Sequence, residues 1–250
     1  MAIVSAVQFK PDLALDIASV KNNVRRLDQV VLPLYDQGSE FVVFPELTCH
    51  GYNYLNPEQV WKVASPSDSG TVYNYFQNLA SSLEAFIVYG FIESSENILY
   101  NSANLIAPDG TRIHTYRKNH LWANDFLWAT PGGRPPEIVN TEIGRISVLI
   151  CNDITMNLDK SNYNSLHAGS VDLVAGLCNW NVPGFPHQNW IKLSEQIRSS
   201  LVVSNRWGKE INCGRLLDFG QGGSCVIESD GTVHTGGLEW DNDCVVTTRV

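Results

Sequence analysis

No apolar run in these 250 residues approaches the ~20 positions a helix needs to cross a bilayer, so a helical membrane protein is excluded on sequence grounds. Cysteine is sparse. Cys49, Cys151, Cys178, Cys213, Cys225 and Cys244 are the six present, none paired as CxxC and none at a spacing that matches a zinc site. Neither a disulfide scaffold nor a structural metal is expected. Positive charge is in the minority, with 17 Lys and Arg against 26 Asp and Glu and a formal net charge of -9. That balance disfavours nonspecific adhesion to nucleic acid or to anionic membranes. Linkers, repeats and low-complexity tracts are missing. Met1-Ala2-Ile3-Val4 opens a strand-like segment rather than the basic and then apolar stretch of a secretory leader. The expectation is one soluble domain over residues 1–250, cytoplasmic, with reduced thiols and enough apolar residues (44%) for a substantial core.

What is present alternates between two periodicities. Ile3 to Phe9, Phe41 to Phe44, Phe86 to Phe91, Leu99 to Ala107, Arg112 to Tyr116, Val171 to Leu177 and Leu201 to Val203 read as strands. Helical spacing runs from Asp16 to Gln37, with Gly38 as its stop, and again through Val72, Phe76, Leu79 and Leu83. Further helices are expected between Asn157 and Ala168 and from Trp190 to Ser200. Pro108-Asp109-Gly110 signals a hairpin, residues 124–136 a loop, and the last forty residues strand pairs. Helices alternating with strands and hairpins predict a layered α/β domain with mixed sheets.

The most informative stretch is Ile146-Ser147-Val148-Leu149-Ile150-Cys151-Asn152-Asp153. Its first five residues read as a strand buried on both faces, with a cysteine at the carboxyl end, where reactive groups gather in α/β sheets. Two other strand-like runs also lead into titratable residues, Glu46 and Lys118. A thiol is mostly protonated at neutral pH and needs a base to act as a nucleophile. Glu46, flanked by Phe44 and Leu47, suits a base whose pKa is raised by desolvation. Lys118 offers positive charge to a developing oxyanion. If the three runs share a sheet rim, they make an acyl-transfer site without histidine.

The segments Val42-Val43-Phe44-Pro45-Glu46-Leu47, Tyr116-Arg117-Lys118-Asn119-His120-Leu121 and Ile150-Cys151-Asn152-Asp153 resemble, in order and spacing, the three signatures of the nitrilase superfamily of carbon–nitrogen hydrolases. Ala6-Val7-Gln8, Gly51-Tyr52, Thr130-Pro131-Gly132, Asn179-Trp180, Asn205-Arg206-Trp207-Gly208 and the stretch from Gly223-Ser224 to Gly231 extend the resemblance over essentially the whole chain. It implies a four-layer αββα sandwich, assembled as a homodimer or higher homo-oligomer, and a Glu46-Lys118-Cys151 site that needs no metal or organic cofactor. Cys151 would attack an amide carbon to form a thioester, Glu46 would move the protons, and Lys118 with the Asn152 N–H would hold the oxyanion. Many members carry a second glutamate in the lysine loop; here Asp125 stands at that position, one methylene shorter. The helix after Trp190 echoes the family only loosely, in Ser194-Glu195-Gln196-Ile197-Arg198.

Each residue also has an ordinary reading. A lone buried cysteine is usually packing and a lone lysine usually exposed; Tyr52, Asn179 and Trp180 are the expected substrate contacts beside Asn152, and Tyr52, Trp122, Trp180 and Trp207 are candidates to shape the pocket, although aromatics are more often core. His120 is expected to fix the loop by hydrogen bonds rather than pair with Cys151. Cys178, beside Asn179-Trp180, is the other cysteine placed to line a pocket. Cys151-Asn152-Asp153 resembles the amidase and carbamoylase branches rather than the Cys-Trp-Glu of nitrile hydrolases. The expected substrate is therefore a small linear amide or N-carbamoyl compound. Nitrile hydrolysis at the same site and a catalytically silent binding protein are the rivals.

Overall fold

The computed structural model describes residues 2–155, 165–181, 185, 187–235 and 241–250. Among these the strands, in chain order, are β1 (Ile3–Gln8), β2 (Phe41–Val43), β3 (Phe86–Ser95), β4 (Ile98–Ile106), β5 (Arg112–Arg117), β6 (Val139–Thr141), β7 (Gly144–Ile150), β8 (Leu173–Cys178), β9 (Ser200–Asn205), β10 (Lys209–Asn212), β11 (Arg215–Asp218), β12 (Cys225–Ile227), β13 (Val233–Thr235) and β14 (Cys244–Arg249). Helices are α1 (Ile17–Val30), α2 (Leu32–Gln37), α3 (Pro57–Trp61), α4 (Thr71–Leu83) and α5 (Gln188–Ile197). One six-stranded sheet has the order β14-β1-β2-β3-β4-β5, a second has β13-β12-β9-β8-β7-β6, and β10-β11 is a separate hairpin. Both large sheets are mixed: β1-β2-β3 and β7-β8-β9 are parallel, and the outer pairs are antiparallel.

The sheets face each other, and helices cover their outer faces. Alternation along β2 shows how the layers form. Phe41 and Val43 join a core shared with Val174, Ala175 and Val202 of the opposite sheet, whereas Val42 and Phe44 pack with Leu27 of α1 and Phe76 of α4. A strand buried on both faces must be apolar at every position, which is why these runs do not alternate in sequence. Helix α5 supplies the fourth layer, with Trp190, Leu193 and Ile197 packed on the second sheet. This is the expected αββα architecture. No described helix is long and apolar enough to cross a membrane.

Several boundaries differ from the sequence reading. The helix expected over Asp16–Gln37 is two: Asp16 caps α1 by accepting from the Ser19 N–H, and Pro33 at the start of α2 forces the break at Val31. Gly38, at φ 63°, closes α2 as expected. Arg198, at φ 54°, ends the last helix early, and β9 begins at Ser200, where helix was expected. The loop after Gly51 contains the short α3, whose Asn56-Pro57 cap signal was there to be read. Of the helix expected between Asn157 and Ala168, residues 157–164 lie outside the described residues.

One glycine fixes how the Glu46 turn meets the sheet. A Cβ on Gly90 of β3 would lie 2.6 Å from the Leu47 nitrogen and 2.8 Å from both the Glu46 Cα and the Pro45 carbonyl oxygen. All three are backbone atoms, which cannot swing aside. Gly90→Ala is expected to destabilise the fold by about 1–3 kcal/mol, the range typical of overpacking. Chemical denaturation reads this directly; an unchanged midpoint would mean that the turn is free to retreat.

Candidate active site

Three separate backbone devices deliver the three titratable residues. Beyond β2, the Phe44 N–H donates to the Val88 carbonyl at 2.8 Å and the Thr48 N–H to the Gly90 carbonyl at 2.9 Å. The turn Pro45–Leu47 is thus pinned to β3 on both sides, with Leu47 held at φ 51°. Lys118 follows β5 directly: its N–H donates to the Asn101 carbonyl at 2.8 Å and its carbonyl accepts from the Gly132 N–H at 2.9 Å. Gly132 is obligatory there, because a Cβ would sit 2.3 Å from the Arg117 carbonyl oxygen. Cys151 follows β7 and opens a 3-10 turn, Cys151–Thr155, at φ 49°. A non-glycine residue in the left-handed region persists only where its surroundings fix it. Here Asp153 does so: its carboxylate accepts from the Ile150 N–H at 3.1 Å, the Tyr116 hydroxyl at 2.9 Å and the His120 N–H at 2.9 Å.

Glu46 and Lys118 come from the first sheet and Cys151 from the second. The three do not share one sheet rim. Cys151 lies close enough to Lys118 across the two facing sheets to act on its ammonium electrostatically.

The buried charges form one network. Lys118 Nζ donates to Glu46 Oε1 at 2.7 Å and to Asp125 Oδ2 at 2.6 Å, and none of the three side chains is exposed. Asn101 of β4 ties the carboxylates together, donating to Glu46 Oε1 at 2.7 Å and to Asp125 Oδ1 at 3.2 Å. The second Glu46 oxygen accepts from the Asn179 N–H at 2.9 Å. Asp125 also accepts from the Trp122 N–H at 3.0 Å, which fixes it within the short turn Ala123–Leu127. Burial raises the Glu46 carboxyl above its ordinary value; Lys118 opposes this, and Asp125 adds to it. Burial alone would lower Lys118, but Asp125 and Glu46 outweigh it and hold the ammonium well above the usual lysine value. The shorter aspartate therefore still reaches the lysine.

Cys151 opens onto a cavity of about 300 Å³ lined, among the described residues, by Trp122, Asn152, Thr155, Asn179, Trp180 and the segment at His187 and Asn189. No Lys, Arg, Asp or Glu is among the described lining residues. Burial lowers the His187 pKa, so the ring is neutral near pH 7. Both polar atoms of the Asn179 amide are buried with no protein partner, and so is the Trp180 indole N–H. Unpaired buried donors and acceptors beside a cavity are free to bind a polar ligand. No described group of three or more His, Cys, Asp or Glu side chains stands in a metal-holding arrangement.

Other candidates fall outside this wall. Tyr52 sits behind it, its hydroxyl donated to the Trp122 carbonyl at 2.6 Å and its N–H to the buried Glu210 carboxylate. Trp207 is bound to Asp243 at 2.7 Å with Lys10 over its ring. His120 Nδ1 lies 2.9 Å from Asp153 Oδ1 and serves the loop, as expected. Cys178 is fully buried, and burial together with the neighbouring Cys151 thiol pushes its own thiol well up. Sequence reasoning missed Asn101 and Asp153. The signal for Asn101 was an Asn-Ser-Ala-Asn stretch inside a strand otherwise apolar.

Residues 3–250 match the model of the family described as carbon–nitrogen hydrolase. A protein N-terminal amidase of Schizosaccharomyces pombe is 28% identical over 268 residues, covering 89% of each chain. A nitrilase of Pyrococcus abyssi is 27% identical over 210 residues, covering 84% of this chain and 77% of its own. Among solved structures, the amidase of Nesterenkonia sp. AN1 superposes with a TM-score of 0.79 at 18% identity, covering 100% of this chain and 93% of the other, which shows a shared fold. The match along nearly the whole sequence, together with the paired mixed sheets, establishes that this chain belongs to the carbon–nitrogen hydrolase family, within the nitrilase superfamily.

Proposed function

We propose that this single-domain chain is a thiol amidase that hydrolyses a small linear amide through a thioester on Cys151. The observation that carries the reading is a buried ammonium clamped between two carboxylates under a cavity whose wall presents a cysteine. Glu46, its proton affinity raised, takes the Cys151 proton as sulfur attacks the amide carbon. The carbonyl oxygen then carries negative charge, which Lys118 and the Asn152 N–H receive. Glu46 passes its proton to the departing nitrogen, and ammonia or amine leaves. Glu46 next takes a proton from water, which attacks the thioester carbon; collapse returns the proton to sulfur and frees the acid. Asp125 keeps Lys118 in place and charged. Every proton and charge in this cycle is handled by a side chain or backbone N–H, so no metal or organic cofactor is called on.

The described wall of asparagines, Thr155 and neutral His187 suits an uncharged amide better than an N-carbamoyl compound with an ionised far end. The amidase relative is consistent with this assignment, and the nitrilase relative keeps nitriles in the test. Ammonia release is to be measured from short uncharged amides, the matching nitriles and ureido acids, with intact mass spectrometry for an acyl group on Cys151. Amides are expected to turn over and to leave the adduct. In Glu46→Gln, acylation should fall by about 100-fold or more, the usual contribution of a general base. Normal acylation in that variant would remove Glu46 from its role. Absence of both adduct and turnover across the panel would leave a silent binding protein.

A further inference from the structure

The mechanism uses one cysteine of the pair that meets beneath the cavity. In the parallel pairing of β7 with β8, Leu149 stands opposite Gly176 and Ile150 opposite Leu177. Cys151 and Cys178 are the next residues along the two chains, Cys178 ending β8 and Cys151 opening the 3-10 turn after β7. Neighbouring strands lie about 4.8 Å apart, inside the ~4.4–6.8 Å Cα separation that a disulfide spans. The two thiols interact, Cys151 helping to push the Cys178 thiol up. The remaining cysteines do not offer this. Cys213 is exposed, and Cys49 belongs to the core between the first sheet and its helices.

The two thiols are also unequally accessible. Cys151 retains 6% exposure at the cavity wall, whereas Cys178 retains none and lies behind it. A small oxidant entering the cavity reaches Cys151 first, and the buried Cys178 can react only with what Cys151 becomes. Burial, and then the hydrogen bond to Cys151, hold the Cys178 thiol well above its ordinary pKa, so it waits as a thiol.

From this juxtaposition we infer that Cys151 and Cys178 form a peroxide-responsive pair, which closes to a disulfide, blocks the cavity cysteine reversibly and spares it from irreversible oxidation. In the first step the Cys151 sulfur attacks one oxygen of hydrogen peroxide. An S–O bond forms, the O–O bond breaks, and the released hydroxide takes the thiol proton to leave as water. In the second, the Cys178 sulfur attacks the Cys151 sulfur of the sulfenic acid. An S–S bond forms, the S–O bond breaks, and the hydroxide leaves with the Cys178 proton as water. Two thiols are oxidised by two electrons and one peroxide is reduced to two waters.

The pair is tested on the reduced full chain without substrate, so its outcome stands apart from whether amides are hydrolysed. After brief treatment with hydrogen peroxide, the intact mass is expected to fall by two hydrogens. Peptide mapping should join the Cys151 and Cys178 peptides, and dithiothreitol should restore both free thiols. In Cys178→Ser, checked for native circular dichroism, Cys151 should instead gain oxygen and lose most of its recovery on reduction. If Cys178→Ser does not fold, the wild-type peptide map alone decides. Wild-type protein that gains oxygen at Cys151 with no cross-link, or that joins another cysteine pair, would overturn the inference.

Discussion

Replacing Cys151 by alanine is expected to lower turnover of any amide substrate by about 10⁴-fold or more, the loss seen when a nucleophile is removed from a concerted set. The thermal midpoint should barely move. Cys151 belongs to the core between the sheets but borders the cavity, and alanine tolerates the left-handed turn no worse than cysteine does. Intact mass after incubation with substrate should show no acyl adduct. A variant that unfolds would mean that the sulfur was packing, and one that retains turnover would place the nucleophile elsewhere.

Lys118→Met should do the opposite to stability. Methionine fills similar space but leaves Glu46 and Asp125 buried and facing each other with no cation. Breaking a buried ion pair by removing one partner costs about 3–5 kcal/mol. For a chain of this size that is a fall in midpoint on the order of 10 °C, or outright failure to fold at 37 °C. Adding Asp125→Asn to Lys118→Met should recover part of the stability by neutralising one carboxylate, yet recover no activity, because the oxyanion has still lost its ammonium. Equal stability of Lys118→Met and wild type would show that water or a shifted proton already neutralises the pair. The same network sets the acid limb of the wild-type pH profile. Glu46 works as a base only when deprotonated, and burial raises its pKa above the ordinary glutamate value of 4.5. Activity should therefore begin to fail, on acidification, at a pH above 4.5.

The chemistry was more legible in the sequence than the geometry. Glu46, Lys118 and Cys151 announced themselves because each follows a strand-like run and each can exchange a proton or carry charge. That two facing sheets supply them was not legible, since apolar runs record that a strand is buried on both sides but not which sheet it joins. Asp125 was readable by position alone, and its contact with Lys118 depends on a turn that periodicity does not encode. Asn101 escaped because an amide inside a strand carries no titratable signature, although it binds both carboxylates. The split of the first long helix was readable from Pro33 and was masked by an unbroken apolar spacing across it. Trp207 shows the reverse case: an aromatic within a family-like stretch suggests a pocket wall, but its indole is held by Asp243; Tyr52 stays beside the charged network with its hydroxyl held by the Trp122 carbonyl.

Strand β14 lies against β1 along its full length, and Ala2 and Val250 exchange two backbone hydrogen bonds, at 2.8 and 3.0 Å. Two strands far apart in sequence are thus neighbours in the sheet that carries Glu46 and Lys118. Until β14 docks, β1 presents an unsatisfied edge, and bringing the two strands together closes a very long loop. Assembly of the sheet that carries the charged network is therefore coupled to this long-range pairing, and forms in which β14 is undocked would expose a strand edge prone to association.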